Sequence, residues 1–90
     1  MRTNELSNRY NCHVTDFGDG SYNIYYKCYS AHVFEYYQSY NNDKYNVTVY
    51  KNGKVEYQAE TMFDYVNKEK LFSILDRYFP VKTIEEMKLF

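Results

Sequence analysis

Tyr45-Asn46-Val47-Thr48-Val49-Tyr50-Lys51-Asn52-Gly53-Lys54-Val55-Glu56-Tyr57-Gln58-Ala59 is the stretch whose reading decides the fold, because apolar and polar residues alternate on both sides of an Asn-Gly pair. Such a pattern is a β-hairpin with one face turned to a core. Its register follows from which side chains would share a face. A two-residue turn at Asn52-Gly53 sets Val49 against Glu56 and Val47 against Gln58, mixing apolar and polar groups, and is disfavoured. A three-residue loop, Lys51-Asn52-Gly53, with glycine in the left-handed position of a bulge, instead pairs Val49 with Val55, Val47 with Tyr57 and Tyr45 with Ala59. The reverse face then holds Tyr50 beside Lys54, Thr48 beside Glu56 and Asn46 beside Gln58, a solvent-facing surface apart from the Tyr50 ring.

Working outward, Gly18-Asp19-Gly20 marks an earlier hairpin. As a three-residue loop it sets Val14 opposite Ile24, Cys12 opposite Tyr26 and Tyr10 opposite Cys28, again giving one apolar face. The reverse of that hairpin shows His13, Phe17, Tyr25, Lys27 and Tyr29, so rings survive where an ordinary surface would carry only polar groups. Between the hairpins, residues 31–40 are rich in β-formers and read as a strand, although Val33, Tyr36, Tyr37 and Tyr40 would also line one side of a helix. Asn41-Asn42-Asp43 reads as a turn.

The last third is helical. Leu71, Ile74, Leu75 and Tyr78 recur at spacings of three and four, Phe72 and Phe79 stand beside them, and Pro80 predicts a stop at or near Phe79. Thr61 with Asp64 and, separately, Asn67 are possible starts, and Thr83 with Glu86 forms a capping box for a short final helix. Residues 2–9 form a further short helix. The expectation is therefore a single α+β domain spanning 1–90: an antiparallel sheet of four to five strands built from two hairpins, with C-terminal helices packed on one face. A chain of this length buries roughly 60–65% of its unfolded surface in one core.

Thirteen tyrosines in 90 residues are the strongest bias in the composition. Phe, Tyr, Met, Ile, Asn and Lys, whose codons are AT-rich, make up close to half of the chain, yet there are far fewer isoleucines than tyrosines. Codon bias alone therefore does not account for the excess. A tyrosine combines a large apolar ring with a polar tip and few rotors, which suits contact surfaces. Tyr10, Tyr22, Tyr26, Tyr45, Tyr57 and Tyr78 fall on faces assigned to the core. Phe17, Tyr25, Lys27, Tyr29 and Tyr50 fall on the other face and are the candidate partner-binding residues.

Eleven basic and twelve acidic residues leave a formal net charge of -1. That balance argues against a general nucleic-acid binder and against a strongly acidic DNA mimic. The N-terminal residues carry no apolar stretch of signal-peptide length, and nothing approaches the roughly 18 apolar residues of a membrane span, so the expectation is a cytoplasmic protein without a membrane role.

Catalytic and metal-binding patterns have competing explanations. Cys12, His13, Cys28 and His32 could ligate zinc, but adjacent strand residues point to opposite faces, so Cys12 and His13 would not share an ion. In the proposed register Cys12 and Cys28 are diagonal neighbours, and free thiols are expected. His13 with Asp16, or His32 with Glu35, could do acid-base work, but such pairings arise by chance, and no Cys-His or Ser-His arrangement or phosphate loop accompanies them. Asn46-Val47-Thr48 fits a glycosylation sequon and reads simply as strand. No cofactor is implied, and the chain reads as a non-enzyme.

In layout the chain resembles the small anti-CRISPR and other anti-defence proteins of phages of low-GC bacteria. The segments concerned are the helix around Asn4-Glu5-Leu6-Ser7-Asn8-Arg9, the Lys51-Asn52-Gly53 hairpin and the terminal helices. The resemblance implies a compact α+β domain that binds a host or defence-system protein and blocks it. Inhibitors of that class that imitate DNA are acidic, whereas only Glu56, Glu60 and Asp64 gather here. Two other readings remain: single-stranded nucleic-acid or nucleotide binding with Phe17, Tyr25 and Tyr29 as stacking platforms beside Lys27, or a small enzyme or a homo-oligomeric structural component.

Overall fold

The computed structural model describes residues 2–36, 44–51, 54–58 and 65–82. Helix α1 (Arg2–Arg9) leads into a five-stranded sheet made of β1 (His13–Asp16), β2 (Ser21–Tyr26), β3 (Tyr29–Tyr36), β4 (Lys44–Lys51) and β5 (Lys54–Gln58), and helix α2 (Lys68–Leu75) follows. The strands lie in sequence order, each antiparallel to the next. The α+β class, the Val14–Ile24 register of the first hairpin and the presence of a strand after it are as the sequence indicates, although that strand starts at Tyr29, ahead of the expected residue 31.

Register is set by what must be buried. Val14 pairs with Ile24 across β1 and β2, as expected from a three-residue loop at 18–20. Both loop glycines need backbone that an L-residue rarely adopts, with φ of 77° at Gly18 and 88° at Gly20. Asp16 and Asp19 tie the loop down by accepting the backbone N–H groups of Gly18 and Ser21. Across the central strands Ile24, Ala31 and Val49 share one row and Tyr22, Val33 and Val47 the next, and all six are buried. Sliding one strand by a single residue would turn its row to solvent, at about 1.5–3 kcal/mol per apolar side chain.

The β4–β5 hairpin departs from the expected register. Lys51 pairs with Lys54 and Tyr50 with Val55, which is the spacing of a two-residue connection, and then a bulge shifts the ladder so that Val49 pairs with Tyr57 and Thr48 with Gln58. The bulge absorbs Glu56 and places Tyr57 opposite Val49, so the conflict that disfavoured the short turn is removed within the strand instead of in the loop. Asn52 and Gly53 themselves, Ala59, and the side chain of Tyr57 lie outside the described residues. So do residues 37–43, the capping pair Thr61 and Asp64, and the short helix expected from Thr83.

Both helices cover one face of the sheet. Asn67 caps α2 by accepting the Lys70 N–H on its side-chain oxygen at 2.8 Å, and Leu71, Ile74 and Leu75 are buried. The helix stops at Leu75, four residues before the expected end. From there Arg77 N–H bonds Ile74 and Tyr78 N–H bonds Leu75, tightening the chain into turns that carry Phe79 inward ahead of Pro80.

Tyr10 also departs from expectation. It does not continue β1 to face Cys28 but follows α1 directly and forms a bridge with Val81, flanked by backbone bonds from Asn11 to Pro80 and from Lys82 to Arg9. Its ring is fully buried, tilted against Phe72 and Phe79 at 6.3 and 6.1 Å. A buried hydroxyl needs a partner, and Tyr10 donates to Asp76 at 2.5 Å. Arg9 closes the cluster, reaching both Asp76 carboxylate oxygens at 2.9 and 3.3 Å while its guanidinium lies 4.8 Å above the Phe72 ring. An ion pair from Glu5 to Lys68 ties the same two helices. No helix among the described residues is long and apolar enough to cross a membrane.

Burial pushes the Asp76 carboxyl pKa up, but the hydrogen bonds from Arg9 and Tyr10, with the Arg9 charge, outweigh it and hold the group below its ordinary value. A depressed folded pKa means that this stabilisation is present above the unfolded value near 3.9 and is lost as pH falls through the folded value. Urea unfolding between pH 7 and pH 2.5 is expected to show an acid loss that Asp76→Asn flattens. Tyr10→Phe is expected to cost about 1.5–3 kcal/mol at pH 7, as for a hydrogen bond to a charged group.

Candidate functional site

The sheet face away from the helices is built by strand alternation. Across it run a row of His13, Tyr25, Ser30 and Tyr50, then a row of Thr15, Asn23, His32 and Thr48, with Phe34 and Asn46 beyond. Phe17 continues β1 by donating its N–H to Ser21. Three Phe and Tyr rings are open to solvent among the described residues, namely Phe17 at 52% exposure, Tyr25 at 42% and Tyr65 at 36%, and His13 is exposed beside them.

These side chains are held in place. Asn23 donates from its amide to the Tyr25 hydroxyl at 2.9 Å, and its carbonyl oxygen meets Nδ1 of His32, directly opposite on β3, at 2.8 Å. That contact makes Nδ1 the protonated nitrogen of His32. Phe17 tilts over the His32 ring at 6.2 Å, His13 lies 6.4 Å from the Tyr25 ring, and Tyr36 packs on Tyr65 at 4.8 Å. The Asp19 carboxyl is kept below its ordinary pKa first by the Ser21 hydroxyl, with the Ser21 backbone N–H and the nearby His32 adding to the effect.

Of the residues expected at this surface, Phe17, Tyr25 and Tyr50 are on it, and Tyr50 is half-buried. Lys27 is exposed but sits in the β2–β3 turn, with left-handed backbone at φ 54°. Tyr29 is misplaced by the sequence reading. The two-residue turn Lys27-Cys28 pairs Tyr26 with Tyr29, so both rings belong to the helix-covered face, where Tyr29 packs on Tyr78 at 5.5 Å. This turn contains no Gly, Pro, Asn or Asp, so it left no punctuation in the sequence. Asn23, His32 and Tyr65 were missed as members of the surface. Once β3 is known to begin at Tyr29, alternation alone puts Ser30, His32, Phe34 and Tyr36 on the open face.

His13 and Asp16 stand on opposite faces by alternation, and the His32 contact is to Asn23, so neither carboxylate pairing is assembled. Cys12 and Cys28 are free, half-buried thiols, and burial pushes that of Cys12 up despite the Lys82 charge. Among the described residues no group of three His, Cys, Asp or Glu side chains is placed to hold a metal ion. A recess between Leu6, Val33, Tyr45, Leu71 and Phe72 has a cavity volume of about 10 Å³, about enough for one water and far too small for a ligand. What the outer face offers is a level aromatic surface with polar groups fixed between its rings. Compared with protein-family models, curated proteins and solved structures, the chain matches none.

The two faces predict responses to truncation of different size. Tyr29→Ala removes a ring packed on the core and is expected to lower stability by about 2 kcal/mol, whereas Tyr25→Ala should cost about 0.5–1 kcal/mol, the scale of a cross-strand aromatic pair. Urea midpoints of the two variants, measured side by side, check this.

Proposed function

We propose that this chain is a non-enzymatic binding protein, an inhibitor or accessory factor of a phage or other mobile element, that occludes a surface of a host or defence-system protein with the outer face of its sheet. The observation that carries the reading is the open, aromatic surface of Phe17, Tyr25 and Tyr65 on the sheet face that neither described helix covers. Large amphipathic rings supply most of the energy in protein interfaces. Here Asn23 and the two histidines already fix the rings of Tyr25 and Phe17, so little side-chain entropy is left to lose on binding. The near-balanced charge removes long-range steering, so selectivity would rest on shape and on the polar groups between the rings.

Tagged protein is expected to capture a stoichiometric protein from nuclease-treated lysate of a low-GC bacterium. Phe17→Ala/Tyr25→Ala is expected to lose that capture while keeping its unfolding free energy within about 1.5 kcal/mol of the parent. Equal capture by the folded double variant would remove the outer face from the function.

A further inference from the structure

We propose that the turn end of the sheet, where Lys27, Lys51 and Lys54 gather, binds the phosphate backbone of a single-stranded nucleic acid. The β2–β3 turn and the β4–β5 connection emerge at the same end, because Tyr29 pairs with Lys51. Lys51 and Lys54 are placed directly opposite each other, an arrangement in which like charges repel. The Lys27 ammonium lies 5.2 Å above the Tyr26 ring and that of Lys51 lies 5.8 Å above the Tyr29 ring, and Tyr26 and Tyr29 are themselves a cross-strand pair. None of the three lysines makes an ion pair with a described carboxylate.

Asp16 and Asp19 stand at the opposite end of β2, six residues or about 20 Å away, beyond the screening length at physiological salt. The fold therefore sets these three lysines apart from the two aspartates of the first hairpin loop, beside which Lys44 is the basic residue of the β3–β4 ladder. An anion at this end relieves the Lys51–Lys54 repulsion and meets three exposed point charges. Lysine binds phosphate as a compact point charge, and it is the rings beside these lysines that favour a nucleic acid over a carboxylate chain. On the other face of the same end, Tyr25 and Tyr50 flank the short Ser30 in one row, two strands or about 10 Å apart. Those rings are stacking platforms for bases, so a strand laid across the end meets lysines with its backbone and tyrosines with its bases. Only Tyr25 is shared with the protein-capture test above, and the two readings stand or fall separately.

The experiment is fluorescence anisotropy with the purified, nuclease-treated full chain and a labelled 20-residue oligo-dT, from 50 to 200 mM salt. Three phosphate contacts on a single strand predict a log-log slope of about −2, or roughly twentyfold weaker binding across that range. K27Q/K51Q/K54Q is expected to weaken binding at 50 mM salt by roughly tenfold or more and to bring the slope near zero. Tyr50→Ala is expected to weaken binding roughly fivefold or more with the slope retained. Lys54→Gln alone, which breaks no ring contact, should lower the slope by about 0.7 and keeps the test decisive if the triple variant fails to fold. No binding at 50 mM salt, or a slope unchanged by the lysine variants, overturns the proposal. Equal competition by a 20-residue poly-glutamate peptide overturns the phosphate assignment, and equal affinity for a duplex overturns the single-strand assignment.

Discussion

A buried tyrosine hydroxyl with one charged acceptor governs how this small domain closes. Tyr10 brings a large ring to the centre of the core, and its oxygen must find a partner there or cost the domain about 1–3 kcal/mol. Asp76 supplies that partner from just beyond α2, and Arg9 neutralises the carboxylate from the end of α1. The same residue bridges Val81, so α1, α2 and the segment after Pro80 meet at one point. Because Asp76 and Arg9 also face solvent, the cluster is a hydrated one, and its charges escape the full desolvation penalty of a buried pair.

This closure has a consequence for the sheet. With both described helices committed to one face, neither covers the other, whose described cover comes from its own side chains. Ser30, Asn23, His32 and Thr48 provide polar cover along its middle, and the rings stand among them. Cross-strand contacts of the His13–Tyr25 kind contribute about 0.2–1 kcal/mol each, too little to explain Phe17 and Tyr25 as core-formers that failed to be buried. Their retention on an open face is what favours a binding role. Fixed rings also favour recognition by shape, which agrees with a chain whose charges almost cancel.

Charge tells a different story locally. A formal net charge of -1 describes the chain as a list, while the fold sets Lys27, Lys51 and Lys54 at one end of the sheet and Asp16 and Asp19, with Lys44, at the other. The turn end is therefore basic in a protein that is slightly acidic overall. Cation–π contacts to Tyr26 and Tyr29 hold the ammonium groups there without neutralising them.

Much of the fold was legible because period-two alternation and glycine punctuation are local signals. The Val14–Ile24 register of the first hairpin, a strand within 31–40, the Asn67 start of α2 and the burial of Tyr22 and Tyr45 all follow from residues within a few positions of one another. The site was only partly legible. Phe17, Tyr25 and Tyr50 were assigned to the open face by alternation, but Tyr29 was not, because parity is preserved only while the strand continues and the Lys27-Cys28 turn resets it without a turn residue to announce it. The β5 bulge was hidden for a related reason: a longer loop and a bulge each set an apolar residue opposite Val49, Val55 in the first and Tyr57 in the second, and only the packed sheet selects between them. Sequence by itself determined which residues alternate and where the chain can bend. Tertiary structure alone decided that Tyr10 leaves β1 to meet Asp76, that Asn23 holds His32, and that three lysines converge, because each depends on partners at least nine residues apart that no local pattern can bring together.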